Sequence, residues 1–280
     1  MVMITVLLAV LGLIYGSFVN ALIWRMHEQE KLTGKKSKSA RSRRAALSIV
    51  KGRSMCPECE HELGPLDLIP VLSWLWLRGK CRYCKVRIPD SPIVELVTGL
   101  LFAISYATWP YDFHGVGLFR FVVWLAFLVG FMALAVYDIR WFLLPDKIVF
   151  PLTGLAIVQV LVITVWSREL STLWEPAAGA AVIFGLFWIL YQVSKGNWIG
   201  GGDVKLAIVL GLLAGTPLRA LTVIFFASLV GMVASIPQLL KGKEGFSQRI
   251  PFGPALLLAT VIVVLYCGHI ANWYQSLVLR

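Results

Sequence analysis

The chain has 280 residues, of which 58% are hydrophobic and only 15% charged, with 11 tryptophans, and a mean hydropathy of +0.78. That composition excludes an ordinary soluble domain, whose apolar share is lower, and makes this an all-α polytopic membrane protein. The formal net charge of +11 is concentrated in one run from Lys31 to Arg53.

Crossing the hydrocarbon core takes about 20 apolar residues. Candidate spans run over about 2–24, 92–109, 118–138, 148–166, 177–194, 204–215, 219–238 and 255–277, about eight transmembrane helices. The sixth is too short to cross unaided, and Gly-rich residues and Thr216-Pro217 bound it. The first stretch lacks a basic start, and Gly16-Ser17-Phe18-Val19-Asn20 leads into more apolar residues before Arg25. It reads as a retained span rather than a cleavable signal. The expected partition is a first transmembrane helix 1–24, a hydrophilic stretch 25–91 holding a basic insert and a small cysteine module, and a seven-helix membrane core 92–280.

Orientation follows from the distribution of Lys and Arg between alternate loops. Residues 25–91 carry 15 of them, and the loops 139–147, 195–205 and 239–252 carry two, two and three. The other side holds only Arg120, Arg168, Arg219 and Arg280. Eight spans therefore place the large first loop in the cytosol and both termini outside. In the basic run, Lys35, Lys36, Lys38, Arg41, Arg43 and Arg44 alternate with Ser and Ala. A segment of this kind beside so many spans is expected to lie against anionic lipid headgroups, and nucleic acid is not expected as a partner.

Within the first loop, Cys56-Pro-Glu-Cys59 and Cys81-Arg-Tyr-Cys84 form two Cys-x-x-Cys knuckles separated by 21 residues. Four thiolates on two tight turns suit a structural zinc ion in tetrahedral coordination, and a reducing cytosol disfavours the alternative of disulfides. The loop is too poor in apolar residues for a sufficient core, so metal ligation would contribute directly to its folding. His61 is expected to be a surface side chain. The apolar run from Leu66 to Trp76 is too short to span and reads as an amphipathic or membrane-facing segment. Cys267, alone in the last span, reads as a small buried apolar residue.

Beyond residue 112 the chain has only three aspartates, Asp138, Asp146 and Asp203. Acids at the edges of apolar spans usually carry function. Two apolar segments lie between Asp138 and Asp203, so the chain crosses and returns, which puts both carboxyls on one side. Two carboxyls brought close in a partly dry site cannot both ionise cheaply, so one keeps its proton. Such a pair can activate water: the charged member accepts a proton as water attacks a peptide carbonyl, and the protonated member donates to the carbonyl oxygen. Gly200, Gly201 and Gly202, lacking side chains, would let substrate backbone approach and let the chain turn into the next helix. The bland alternative for Asp203 is a helix N-cap. An N-cap role is also the reading for Asp146, membrane snorkelling for Lys205, packing for Asn20 and anchoring for Arg25.

The order of motifs along the chain resembles the type IV prepilin peptidases, membrane aspartic proteases of the GxGD kind. The carriers are Gly16 to Asn20, the paired knuckles with Leu68-Ile69-Pro70-Val71-Leu72-Ser73-Trp74 between them, and Val94-Glu95-Leu96-Val97-Thr98-Gly99. Tyr137-Asp138 through Leu144-Pro145-Asp146, Gly200 to Lys205 and Pro251-Phe252-Gly253-Pro254 follow. The resemblance implies cleavage of a prepilin or pseudopilin leader at the cytosolic face of the bacterial inner membrane, with Asp138 and Asp203 as the catalytic pair. It also implies N-methylation of the new terminus with S-adenosylmethionine as donor. The chain has no strand-turn-helix nucleotide fingerprint, so a donor site would be assembled from the cytosolic loop and helix ends, with Glu95 a contributor. Pilus or secretion machinery would be a partner, although the basic insert before the first knuckle departs from the family's commoner pattern.

Three other functions compete: a peptidase without methyl transfer, an ion-coupled transporter, and a non-catalytic zinc scaffold. A transporter would need mid-span carboxylates and repeat symmetry, which this sequence does not display.

Overall fold

The computed structural model describes residues 1–33, 42–43, 45–48, 52–88, 92–240 and 251–278, without side chains for 238–239 and 267–278. Most of the basic run therefore lies outside the described residues, as does the side chain of Cys267. The described chain is helical: α1 (Val2–Lys31), a 3-10 turn (Pro65–Leu68), α2 (Leu72–Trp76), α3 (Ile93–Ala107), α4 (Gly115–Trp141), α5 (Asp146–Ser167), α6 (Ser171–Ser194), α7 (Gly201–Ala214), α8 (Pro217–Leu239) and α9 (Gly253–Val278). Every candidate span falls on a helix. Five of them, α1, α4, α5, α6 and α8, are long and apolar enough to cross a membrane. The chain forms two compact units, Met1–Ala107 and Thr108–Arg280. This groups the helix 93–107 with the cysteine loop, where the sequence reading groups it with the membrane core.

In the first unit α1 packs on α3. The buried residues of α1 are Gly12, Gly16, Val19, Asn20, Ile23, Arg25 and Met26, and those of α3 are Val94, Glu95, Thr98, Gly99, Phe102 and Ser105. Both sets recur at three- and four-residue steps, one face of each helix. Glycine makes the contact possible: a Cβ on Gly16 would stand 2.5 Å from the Glu95 Cα, and one on Gly12 2.7 Å from the Gly99 Cα. The two backbones touch. The rest of α1 presents Ile4, Val6, Leu7, Val10, Leu11 and Ile14 outward, as a lipid-facing helix does.

Between these helices the apolar run of the loop forms only the 3-10 turn and the five-residue α2, far short of a span. Leu72, Leu75 and Trp76 are exposed, Trp76 at 87%.

In the second unit α7 is the innermost helix, packed against α5, α6, α8 and α9. Its 14 residues extend about 21 Å at 1.5 Å per residue, too short to cross. Val204, Leu206, Ala207, Val209, Leu210, Gly211 and Ala214 are all buried, so its apolar surface meets protein rather than lipid. Its closest approach is to α6, where a Cβ on Gly179 would lie 2.9 Å from the Gly211 carbonyl oxygen.

Candidate active site and cysteine cluster

Asp138 lies in the last turn of α4 and is 6% exposed. The helix ends four residues later at Phe142, whose left-handed backbone (φ 55°) lets its N–H close on the Asp138 carbonyl at 2.8 Å. The carboxyl is held from another element: the Gly253 N–H, at the start of α9, donates to Asp138 Oδ2 at 3.1 Å. A helix N-terminus stabilises negative charge through its unpaired N–H groups. A Cβ at position 253 would fall 2.5 Å from the same carboxylate oxygen, so any other residue there displaces the Asp138 carboxyl or the start of α9.

Asp203 is the third residue of α7, after Gly200 at the N-cap; its N–H donates to the Gly200 carbonyl at 3.1 Å, and its carboxyl turns back toward Gly200, where a Cβ would lie 3.3 Å from Oδ2. It is therefore not the N-cap residue itself. Leu144, in the turn between α4 and α5, wedges between the two approaches: a Cβ on Gly202 would meet its Cβ at 2.9 Å, and one on Gly253 its Cδ2 at 3.4 Å. The close neighbour of Gly202 is thus a residue of this chain, while a Cβ on Gly201 would meet the Tyr191 ring at ordinary contact distance, 3.7 Å. Leu144 and Gly253 play no part in the site as read from sequence. The signal for Gly253 was present in Pro251-Phe252-Gly253-Pro254, one of the motifs that carry the resemblance, with no role attached to the glycine itself.

Asp146 corrects the sequence reading. Pro145 is the N-cap of α5, Asp146 makes no side-chain cap bond, and its carboxylate instead pairs with Lys205 Nζ at 2.7 and 2.8 Å. Lys205 reaches the neighbouring helix rather than snorkelling to headgroups.

The four knuckle cysteines converge. Their sulfurs all lie within 4.8 Å of one another, Cys56 Sγ and Cys84 Sγ are 3.8 Å apart, and none is in a disulfide. Each knuckle is shaped alike. Glu60 N–H donates to the Cys56 carbonyl at 3.0 Å and Lys85 N–H to the Cys81 carbonyl at 3.1 Å, with Glu60 and Lys85 both left-handed (φ 55° and 60°). Isolated bridges Met55–Glu62 and Lys80–Arg87 close each turn. Burial opposes charge on the Cys81 sulfur, but the N–H groups of Cys84 and Tyr83 and the adjacent thiols outweigh it and bring Cys81 down to about 7. Four converging sulfurs with backbone donors could hold a metal ion. His61 is exposed and stacks on Tyr83 with centroids 3.7 Å apart, outside the cluster.

Asn20 and Arg25 are both buried on α1. Arg25 Nη1 donates to the Ser48 carbonyl at 3.3 Å, and Asn20 Oδ1 has no partner among the described residues.

Comparison with known proteins places these two units in a familiar pair. Residues 10–109 match the Bacterial Peptidase A24 N-terminal domain, and residues 124–236 the Type IV leader peptidase family. The chain belongs to the type IV leader peptidase family. It is 31% identical over 277 residues to the prepilin leader peptidase/N-methyltransferase of Stutzerimonas stutzeri, covering 95% of this chain and 91% of that protein. To the protein of the same name from Bacillus subtilis strain 168 it is 33% identical, covering 83% of this chain and 89% of the relative. The type 4 prepilin-like proteins leader peptide-processing enzyme of Escherichia coli O78:H11 is 32% identical, with 92% and 93% covered. No solved structure matches the chain.

Proposed function

We propose that this chain is a membrane aspartic endopeptidase that removes the leader of type IV prepilins or pseudopilins and then N-methylates the exposed terminus. Asp138 and Asp203 are its catalytic pair. The observation that carries the reading is that Leu144 lies against the positions of both acids, meeting a Cβ on Gly202, beside Asp203, at 2.9 Å and one on Gly253 at 3.4 Å, while the Gly253 N–H fixes the Asp138 carboxyl.

Each acid meets a helix N-terminus that favours its ionised form, Asp138 through the Gly253 N–H of α9 and Asp203 in the first turn of α7, and the pair shares one proton. The ionised member accepts a proton from water as it attacks, and the protonated member donates to the scissile carbonyl oxygen. Collapse of the tetrahedral intermediate expels the amine with the returned proton, and no covalent enzyme intermediate is needed.

The metal in this reading is zinc. Tetrahedral thiolates at about 2.3 Å from an ion stand about 3.8 Å apart, which is the Cys56–Cys84 sulfur separation of 3.8 Å. Its role is to fold the loop. By the basic-residue bias the loop and both acids face the cytosol of a bacterial inner membrane and both termini face outward. Exposed Leu72, Leu75 and Trp76 would rest on lipid at that face. Pilin assembly or secretion machinery is the expected neighbour, because a processed pilin passes directly to it.

The test is cleavage of a synthetic leader-plus-helix peptide by the purified full-length chain. Asp138→Asn and Asp203→Asn should each lower the rate by roughly a thousandfold or more, as loss of a general acid or base does. Normal processing by both variants would sink the assignment. Mass spectrometry of the product reports the methyl group directly.

A further inference from the structure

The second unit holds a cavity at the end of its helices opposite the two acids. Asp138 lies in the last turn of α4 and Asp203 in the first of α7, whereas the cavity is walled by the first half of α4, the end of α7 and the start of α8. It encloses about 280 Å³, or about 940 Å³ with the mouth, many times the roughly 10–15 Å³ that admits one water. The space exists because α7 is short. Its 14 residues end at Ala214, with Gly215 left-handed (φ 80°), after about 21 Å of a hydrocarbon core about 30 Å thick. Helix α7 does not fill the rest of that depth, and Leu212, Leu213, Gly215 and Thr216 line the gap.

Three polar atoms in this wall have no partner. Trp109 Nε1, Arg120 Nε and Gln159 Oε1 are buried and make no hydrogen bond among the described residues, and all three residues line the cavity. Buried polar atoms are nearly always paired, so two donors and an acceptor left open on one cavity call for an occupant. Charge narrows its chemistry. Arg120 and Arg219 share the lining with a single acid, Glu175, and among the described residues none of the three is in an ion pair. Arg120 lies over the Tyr111 ring, 4.5 Å from its centroid. Arg219 is set in the first turn of α8, where its backbone N–H donates to Thr216 Oγ1 at 3.3 Å. A guanidinium inside a bilayer is costly unless it pairs or meets water. The lining carries one positive charge in excess, which an anion would neutralise.

We propose that this cavity holds a phospholipid, with its phosphodiester between Arg120 and Arg219 and an acyl chain along Val160, Ile163, Leu212 and Val264. Guanidinium forks match phosphate oxygens in geometry and charge. Trp109 Nε1 adds a donor to the same group, and Gln159 Oε1 accepts from a headgroup hydroxyl or ammonium. A free phosphate ion would satisfy the arginines equally, and depth decides between the two sources. Trp166 and Trp174, at the end of α5 and the start of α6, are exposed, and tryptophans so placed sit at the headgroup level of a membrane. Arg120 and Arg219 occupy the corresponding ends of α4 and α8, where a lipid carries its phosphate. The apolar side chains on the rest of the wall give a tail its place and give an ion nothing. Occupancy of this site does not depend on what the two acids do.

The test is ligand retention by the full-length chain in detergent, measured by native mass spectrometry with added dioleoylphosphatidylglycerol, dioleoylglycerol or inorganic phosphate. Wild type should keep one phosphatidylglycerol per chain, no diacylglycerol and no phosphate. Arg120→Gln and Arg219→Gln should each raise the lipid concentration for half occupancy roughly tenfold, the worth of one charge-assisted hydrogen bond. Arg168→Gln, which removes a cation at the same end but outside the lining, should bind as wild type does. A wild type that keeps no phosphatidylglycerol, equal retention of diacylglycerol, or wild-type affinity in both lining variants would overturn the site. Retention of inorganic phosphate in place of lipid would overturn the lipid as occupant. Crosslinking on the wild-type chain decides where a variant fails to fold. Phosphatidylglycerol with a photoreactive headgroup should label peptides covering residues 109–124 or 212–219, and label in neither would overturn the proposal.

Discussion

In the second unit the candidate acids are fixed by helices packed backbone to backbone, whereas in the first the cysteines ride on two turns of a loop with few buried apolar side chains. Gly179 against Gly211, Gly253 against Asp138 and Gly202 against Leu144 leave no room even for a methyl group without movement. The cysteine loop has Cys56 and Cys81 buried, while Leu66, Leu72, Leu75 and Trp76 are exposed. Chemistry that depends on two small charges meeting needs a rigid frame. A loop with so few buried apolar side chains takes its order from a metal instead of from a packed core.

That contrast breaks most sharply on metal removal. A structural zinc contributes on the order of 10–16 kcal/mol of binding free energy that is also folding free energy. Chelation, or Cys81→Ser, should therefore abolish amide protection across residues 52–88 in hydrogen exchange while α5, α6 and α7 keep theirs. Equal loss in both units would show that the loop and the bundle fold as one.

The next largest effect is expected at Gly253→Ala. The added Cβ would meet Asp138 Oδ2 at 2.5 Å, so either the carboxylate rotates away or α9 shifts. A misplaced catalytic group costs about a hundredfold in rate when displaced by an ångström. The expected outcome is a fall in kcat of roughly ten- to a hundredfold with little change in KM. A rate near wild type would mean that the Gly253 N–H does not set the working position of Asp138.

Much of this was legible in the sequence. Long apolar runs bounded by Gly, Pro and charge locate the helices because a bilayer admits little else. Two Cys-x-x-Cys turns in one loop announce the cluster, since thiolates at that spacing have one common use. What could not be read is what lies across from each residue. Gly253 and Leu144 matter through contacts with Asp138 and Gly202, formed by segments far apart in the chain. Asp146 looked like a cap because Leu-Leu-Pro-Asp starts a helix. Its pairing with Lys205 depends on the packing of α5 on α7, which no local pattern encodes. Asn20 read as packing glue, as most buried asparagines in such helices are. Its open acceptor is visible only once its neighbours are known.

In the first unit, the backbone contact of α1 with α3 gives a smaller prediction. Gly16→Ala places a Cβ 2.5 Å from the Glu95 Cα, and neither helix backbone can yield as a side chain would. Overpacking of this kind costs roughly 1–3 kcal/mol. Thermal unfolding should shift downward. A transition at the wild-type temperature would show that α1 and α3 can part by the width of a methyl group without loss.

The smallest effect should come from Lys205→Met. Its ammonium lies 2.7 Å from Asp146 Oδ1, but the two side chains are 45% and 50% exposed. Exposed ion pairs are worth about 0.2–1 kcal/mol, because water screens the attraction and two flexible chains must be held. Lys205 stands two residues from Asp203, so if its charge tuned the catalytic pair its removal would move the pH dependence of cleavage. A pH profile that overlays wild type, with a rate within about threefold, is the expected result. A displaced profile would make Lys205 and Asp146 part of the electrostatic setting of the acids, and the second unit would then carry its chemistry on four charges rather than two.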